Sequence, residues 1–265
     1  AKQIFEKSHE LCQYSVESAI CTYQNIALIE QKNNNYKKAI EYFLKAKIEH
    51  KNDSGVSSKE YIQLQLNFYN FLKNCDEFQS AHKIGDELSD FVSKGECNSL
   101  QTIQYYYLTA DLNLKEGNSH LAEEYFKRTL IQNVSPEEKP ICSSIYIETN
   151  FILGQILLDK YEKSKNTNNL LSAQKYFQEC IEYIEESSNA IRTDKSKLFY
   201  NAYFYKIYKS YLSLLFLELK EAEIRPPQKI YRDIIYISEL CKYNTLSHYT
   251  KNQNTRISGK IIHEF

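Results

Sequence analysis

The sequence predicts an all-α protein built from stacked pairs of helices. A first helical pattern recurs along the chain: an alanine, a phenylalanine four residues later and a small residue three further on. The four sets are Ala1/Phe5/Ser8, Ala39/Phe43/Ala46, Ala122/Phe126/Thr129 and Ala173/Phe177/Cys180. This spacing places each set on one helical face, where small residues admit a neighbouring helix and the ring fills the gap. Only 6 glycines and 4 prolines interrupt the 265 residues, as expected of a helical chain with short connections.

A second helical pattern precedes each set after the first. Residues 23–27 and 106–110 carry a leading aromatic and a closing alanine, and residues 153–157 carry a leucine and a glycine in the same role. Asn34 and Gly117 follow two of these segments, and both residue types tolerate a positive φ. The sequence therefore predicts helical hairpins, each made of a first and a second helix.

These residues resemble the tetratricopeptide repeat family. The resemblance covers residues 20–53 and 103–136 well and residues 147–186 in part. A degenerate copy lies between them, with Phe78 and Ala81 in place but Gly85 where an aromatic is expected. The resemblance implies a right-handed α-solenoid of about five hairpins. Successive alanines of the pattern are separated by more residues than the about 34 of one repeat in the family. Longer helices or looser turns, with an insertion around 160–169, must account for the additional residues.

The expected organisation is a repeat domain over residues 1–242 and a polar tail or linker over 243–265. Prolines 226 and 227 should end one helix, and residues 228–241 should form another. The expected apolar side of that helix consists of Ile230, Ile234, Ile235 and Leu240. Ala1 stands in the register of a second helix, so we expect the chain to be a fragment of a longer protein.

The composition of the chain limits which kinds of partner and which cellular compartment we expect. A net charge of −1 gives no general attraction to nucleic acid or to anionic membranes. No apolar run reaches the roughly 20 residues that span a bilayer, and charged residues interrupt the N-terminal stretch where a signal peptide would need an apolar core. The seven cysteines show no C-x-x-C spacing. We therefore expect free thiols and an intracellular, reducing compartment, either cytoplasmic or nuclear.

Signatures of catalysis, metal binding and cofactor binding are missing from the sequence. The six histidines are scattered without ligand-like spacing, and no phosphate-binding loop or nucleophile motif occurs. Adjacent acidic pairs such as Glu123 and Glu124 point about 100° apart on a helix and are typical of solvated surfaces. We expect no catalytic residue, no metal site and no cofactor, and an enzyme only if catalysis lies outside this fragment.

The family resemblance implies that first helices line a concave groove. Carried over by position, the groove residues are Gln24, Asn25, Gln63, Asn67, Asn70, Asn74, Gln104, Tyr107, Asp111, Glu148 and Gln155. Amides dominate this set, and a side-chain amide can both donate to and accept from a peptide unit. Gln24 and Leu28 replace the lysine and asparagine clamp of chaperone-type members, so binding of a C-terminal carboxylate is not expected. The alternative is an ordinary polar surface in an asparagine-rich sequence.

The segment 198–219 is unusually rich in tyrosine. Its central stripe consists of Phe204, Tyr208, Tyr211 and Leu215. A helix that is apolar on most sides is normally buried, so we expect this stripe in the core. Two alternatives are an exposed docking patch around Tyr203 and Tyr205 and, less favoured, nucleic-acid stacking helped by Lys206 and Lys209.

These patterns together predict a protein-interaction module or scaffold that binds a peptide or segment of a partner protein. Neither direct nucleic-acid binding nor membrane insertion is expected, and the oligomeric state stays open. The alternative is a ligand-responsive domain of a transcriptional regulator, similar to the peptide-pheromone receptors that combine such repeats with a DNA-binding domain.

Overall fold

The computed structural model describes residues 16–52, 58–132, 139–191, 193, 196, 200, 203–221 and 228–241. These residues form helices joined by short turns, and no strand occurs among them. In chain order the helices are α1 (Val16–Lys32), α2 (Tyr36–Asn52), α3 (Ser58–Asn74), α4 (Phe78–Ser93), α5 (Ser99–Lys115), α6 (Ser119–Leu130), α7 (Lys139–Ser164), α8 (Thr167–Asn189), α9 (Tyr205–Glu221) and α10 (228–241). The all-α prediction is confirmed.

The chain divides into two compact units, Ala1–Ser135 and Pro136–Phe265. In the first unit, α1 packs on α2, α3 on α4 and α5 on α6, and α3 also contacts α5 of the next pair. In the second unit, α7 packs on α8, and α9 packs on α8. Consecutive helices therefore form packed pairs within each unit, as the repeated pattern predicts.

The predicted packing faces are buried. Every member of the three described sets, from Ala39 through Cys180, is 0 % exposed. Phe43 stacks on Phe68 of α3 with ring centroids 4.9 Å apart, and Phe177 stacks on Tyr211 of α9 at 6.0 Å. Each ring thus fills the space between its own helix and the next hairpin. The set beginning at Ala1 lies outside the described residues, as does the tail after residue 241.

One turn geometry closes the three described hairpins of the first unit. Asn34, Asp76 and Gly117 have φ values of 61°, 58° and 83°. The residue after each donates its backbone N–H to the carbonyl five residues earlier, at 2.8–3.0 Å. This bond satisfies a carbonyl at the helix end. Asp76 therefore gives the degenerate copy the same turn that Asn34 and Gly117 were expected to give theirs.

Longer helices absorb the extra residues of the last copy. α7 has 26 residues and α8 has 23. The expected insertion around 160–169 is mostly helical, with only residues 165 and 166 between the two helices. Lys165 takes φ 53° at this turn.

The helix expected over residues 228–241 is present, but its buried side differs from the prediction. Ile235 is 65 % exposed, whereas Ile237 is 1 % exposed and joins the core of the second unit. Ile230, Ile234 and Leu240 are half-buried. The inclusion of Ile235 in the apolar side was wrong, because the helix turns Ile237 toward its neighbours.

Two buried glycines lie where a tyrosine or phenylalanine ring comes close. At Gly85, an added Cβ would lie 3.3 Å from the hydroxyl oxygen of Tyr69, so this ring of α3 occupies space that the missing aromatic would need. At Gly154, an added Cβ would lie 3.0–3.3 Å from the ring of Phe177. The ring of the second helix therefore packs directly on the backbone of the first.

Gly154→Ala should lower the free energy of unfolding by about 1 kcal/mol. Overpacking against the Phe177 ring costs about 1–3 kcal/mol, and the better helix propensity of alanine returns about 1 kcal/mol. Urea denaturation compares the variant with the parent. In a Phe177→Leu background the same change should no longer destabilise. A Gly154→Ala variant more stable than the parent would contradict the close approach.

Candidate functional site

A row of side-chain amides joins α3 to α5, the first helices of adjoining hairpins. Gln63, Asn67, Asn70 and Asn74 succeed one another at intervals of four, three and four, which places them along one face of α3. Nε2 of Gln63 donates to Oδ1 of Asn67 and to Oε1 of Gln104 on α5, each at 3.3 Å. Nδ2 of Asn74 donates to Oδ1 of Asn70 at 3.3 Å. We call these five residues the amide row.

The amide row keeps hydrogen-bonding capacity for a ligand. Asn70 and Asn74 are exposed, while Gln63, Asn67 and Gln104 are half-buried. Each side-chain amide has two N–H donors and an oxygen with two lone pairs, so the internal bonds use only part of that capacity. At 3.3 Å these bonds are also longer than the 2.9–3.0 Å typical of N–H···O.

Asp111, one of the expected groove residues, forms an ion pair within the first unit. Its carboxylate forms an ion pair with the ammonium group of Lys73, whose residue is 3 % exposed. Nζ of Lys115 donates to the backbone carbonyl of Lys73 at 3.2 Å. The carboxylate therefore neutralises a buried lysine between α3 and α5.

The remaining expected site residues lie on α1, α5 and α7. Tyr107 is half-buried, with its ring 6.0 Å from that of Phe126. Gln24 is half-buried and Asn25 is exposed on α1. In the second unit, Gln155 donates through Nε2 to Oγ of Ser210 at 3.3 Å, and Glu148 is exposed.

A cleft of about 420 Å³ extends from the end of the amide row toward α1 and its turn. Asn74 borders it from α3, Leu28, Gln31 and Lys32 from α1, and Tyr36 from the start of α2. Gln31 and Lys32 are not among the expected groove residues. The repeat register could have indicated Lys32, because Lys32 lies seven residues before Ala39 just as Asn74 lies seven residues before Ala81.

The carboxylate of Glu87 on α4 accepts hydrogen bonds from side chains of α2 and α3. Lys47 lies 2.8 Å from it, and Gln65 donates to it from a buried position on α3. Burial and, secondarily, the negative charge of Glu87 raise the pKa of Tyr61 to about 12. The phenol therefore stays protonated at neutral pH, and this cluster ties three helices together.

The described cysteines are thiols without disulfide partners: Cys21, Cys75, Cys97, Cys142, Cys180 and Cys241. Burial raises the pKa of the Cys180 thiol, which donates to the carbonyl of Ile147 at 3.3 Å. Such a thiol behaves as a packing group. Across the described ranges, no group of three His, Cys, Asp or Glu side chains could hold a metal ion. The same residues include no helix long and apolar enough to cross a bilayer.

The tyrosine-rich segment contributes mainly to the core. The predicted stripe is buried, with exposures of 9, 1, 3 and 0 % for Phe204, Tyr208, Tyr211 and Leu215, so its expected burial is confirmed. Tyr203 and Tyr205 are 82 % and 38 % exposed.

A family model described as tetratricopeptide repeat matches residues 22–47. The matched residues belong to α1 and α2 and include the set Ala39, Phe43 and Ala46. Comparison with curated proteins and with solved structures found no match. Repeats of this type present extended surfaces for protein–protein interaction, which is the general function that the match supports. The packed helix pairs and the match over residues 22–47 together indicate a helical-repeat protein that is similar to tetratricopeptide repeats.

Proposed function

We propose that the chain is a protein-interaction module whose first unit binds an extended segment of a partner protein along the amide row. The observation that carries this proposal is the hydrogen bond from Gln63 to Gln104, which makes amides of two hairpins parts of one polar surface. Amide side chains can satisfy both the N–H and the C=O of a peptide unit. An extended segment would therefore exchange water for paired hydrogen bonds along the row.

The cleft next to Asn74 favours a partner segment that carries an apolar side chain. Leu28 is half-buried and the ring of Tyr36 is 46 % exposed, so the cleft offers apolar surface beside polar groups. A partner side chain that enters here would be apolar, with its backbone held by Asn74. We place this interaction in a reducing intracellular compartment, a proposal that the lack of C-x-x-C spacing among the seven cysteines supports.

Replacing both Asn67 and Asn70 by alanine should weaken partner binding at least tenfold. Each substitution leaves a desolvated peptide group of the partner unpaired, at about 1–3 kcal/mol. Capture of partners from cell extract, quantified by mass spectrometry, identifies the bound proteins, and titration then gives the affinities. The same test extends to Asn25→Ala, whose side chain is exposed on α1.

Gln79→Ala is the matched control, because Gln79 is an exposed amide on the second helix α4. It should bind like the parent, and all variants should unfold at the parent's midpoint. Retention of every partner by the Asn67→Ala/Asn70→Ala variant would remove the amide row from consideration.

The competing proposal is docking through the exposed tyrosines of the second unit. Aromatic side chains are enriched at interaction hot spots, and Tyr203 is 82 % exposed. This proposal predicts the reverse pattern: alanine at Tyr203 and Tyr205 abolishes capture while the asparagine variants bind normally. The same experiment therefore separates the two surfaces.

A further inference from the structure

A second candidate site is a cavity of about 250 Å³ inside the second unit, bordered by α8, α9 and α10. Three carboxylates line it, from Glu182 and Glu185 on α8 and from Asp233 on α10. Tyr211 lines it from α9, and Lys229 is the cationic residue among those that line it. The lining therefore carries more negative than positive charge.

Buried oxygen atoms at this cavity lack hydrogen-bond partners. Tyr211 is only 3 % exposed, and no group meets the full geometry of a hydrogen bond to its hydroxyl. Burial raises the pKa of Tyr211, and the nearby side chain of Gln178 lowers it in part. Oδ2 of Asp233 is buried and unpartnered as well. Buried polar atoms are normally satisfied, because leaving one unpaired costs about 1–3 kcal/mol. A ligand that donates hydrogen bonds would satisfy both.

Glu218 of α9 adds a further acceptor beside Asp233. Its Oε2 accepts from Nε2 of Gln174 at 3.0 Å, whereas Oε1 is buried without a partner. Burial and, next, the charge of Asp233 raise the pKa of Glu218 to about 7, and Lys229 partly offsets this. The pKa of Tyr211 is raised chiefly by burial, and the negative charges of Asp233 and Glu218 raise it further. The three oxygen-bearing groups are therefore close enough to influence one another.

The unsatisfied atoms specify the chemistry of the missing group. They can accept several hydrogen bonds and carry negative charge, so the complementary group is a cation with several donors. A guanidinium presents five N–H donors in a plane and pairs well with carboxylates, and it is more weakly hydrated than an ammonium. Drug-sized ligands occupy about 300–1,000 Å³, so this smaller cavity suits a single side chain or a small molecule. Among the described residues, no group of three carboxylates, histidines or cysteines could hold a metal ion. This favours an organic cation.

We propose that the cavity between α8, α9 and α10 binds a guanidinium group, supplied by a small molecule or by an arginine side chain of a partner protein. The carboxylate of Asp233 and the hydroxyl of Tyr211 accept its hydrogen bonds, and Glu182 and Glu185 contribute negative charge at the cavity wall. Glu185 also accepts a hydrogen bond from the hydroxyl of Tyr236 on α10. This site is separate from the amide row, so either proposal can fail without the other.

Binding should depend on pH near neutrality. A cation favours the ionised form of Glu218, so below pH 7 binding must remove a proton from this carboxyl group. The affinity should therefore weaken as the pH falls from 8 to 6. The accompanying proton release should make the observed binding enthalpy depend on the ionisation enthalpy of the buffer. The groups that face Glu218 are Gln174 from α8, and Asp233 and Lys229 from α10.

Calorimetric titration of the full chain tests the proposal with N-acetyl-arginine amide and its neutral analogue N-acetyl-citrulline amide. We expect saturable binding of the arginine compound and at least tenfold weaker binding of the citrulline compound. Asp233→Asn should weaken the arginine compound about tenfold or more, and Tyr211→Phe should weaken it severalfold without loss of folding. Glu162→Gln removes an exposed carboxylate of α7 and should bind like the parent.

The outcome separates the two sources of the guanidinium. Equal affinity for N-acetyl-arginine amide and for the peptide Gly-Gly-Arg-Gly-Gly would indicate a small-molecule site, and tighter peptide binding would indicate a partner's arginine. If Asp233→Asn fails to fold, Glu182→Gln provides the same test from the α8 side of the cavity. Failure of the arginine compound to bind, or equal binding of the citrulline compound, would overturn the proposal.

Discussion

Replacing Phe126 by alanine should lower the free energy of unfolding by about 3–5 kcal/mol, the largest effect expected of any change discussed here. Phe126 is 0 % exposed and lies between Ala122 and Thr129, which are also fully buried. Truncation removes the ring's buried area and leaves a cavity that rigid helices cannot fill. Chemical denaturation followed by circular dichroism measures the change.

Leu121→Ala is the matched control for Phe126→Ala. Leu121 is on the same helix, α6, and is 41 % exposed, so its truncation to alanine removes less buried surface than truncation of Phe126. We expect a change smaller than about 1 kcal/mol for this control. A Phe126→Ala protein that unfolds at the parent's denaturant concentration would contradict the packing register.

Removing the carboxylate of Asp111 should destabilise the first unit by about 3 kcal/mol. Lys73 would then keep a buried positive charge without its partner, and breaking a buried pair on one side costs about 3–5 kcal/mol. We take the lower end because the Asp111 side chain is 23 % exposed. Denaturation of Asp111→Ala measures the loss.

Removing both charges should recover most of this stability. Lys73→Met/Asp111→Leu replaces the ion pair by apolar groups, a change that is often neutral or stabilising. A double-mutant cycle compares the parent, Lys73→Met, Asp111→Leu and the double variant. Its interaction energy separates the contribution of the ion pair from that of side-chain packing. A single variant as stable as the parent would show that the pair is solvated and contributes little.

The fold was largely predictable because its determinants are local in sequence. The four-then-three spacing of Ala122, Phe126 and Thr129 defines a helix face before any tertiary contact is known. Gly117 indicated the position of one turn. The turn at Asp76 was not predictable in the same way, because aspartate adopts a positive φ much less often than glycine. Ile235 was misplaced because both sides of α10 carry apolar residues, so periodicity alone could not choose the buried one.

The sites were less predictable because they depend on distances between separate helices. Repeat register brought Gln63 and Gln104 into the same groove set, and their hydrogen bond agrees with that alignment. The pairing of Asp111 with Lys73 could not be foreseen, since both residues resemble ordinary surface charges in sequence. The cavity around Tyr211 depends on how α10 packs, and no sequence spacing links Tyr211 to Asp233.

Site-specific photo-crosslinking shows directly whether partners bind along the amide row. A benzophenone amino acid at Glu60, which is exposed on α3 three residues before Gln63, leaves the amides in place and should capture the partner in high yield. The same probe at Lys83, which is exposed on the second helix α4, should capture little, and Tyr203 serves as the probe position for the competing surface. Capture at position 60 and not at 83 or 203 is the predicted result, whereas equal yields at 60 and 83, or capture confined to 203, would rule out the amide row as the binding surface.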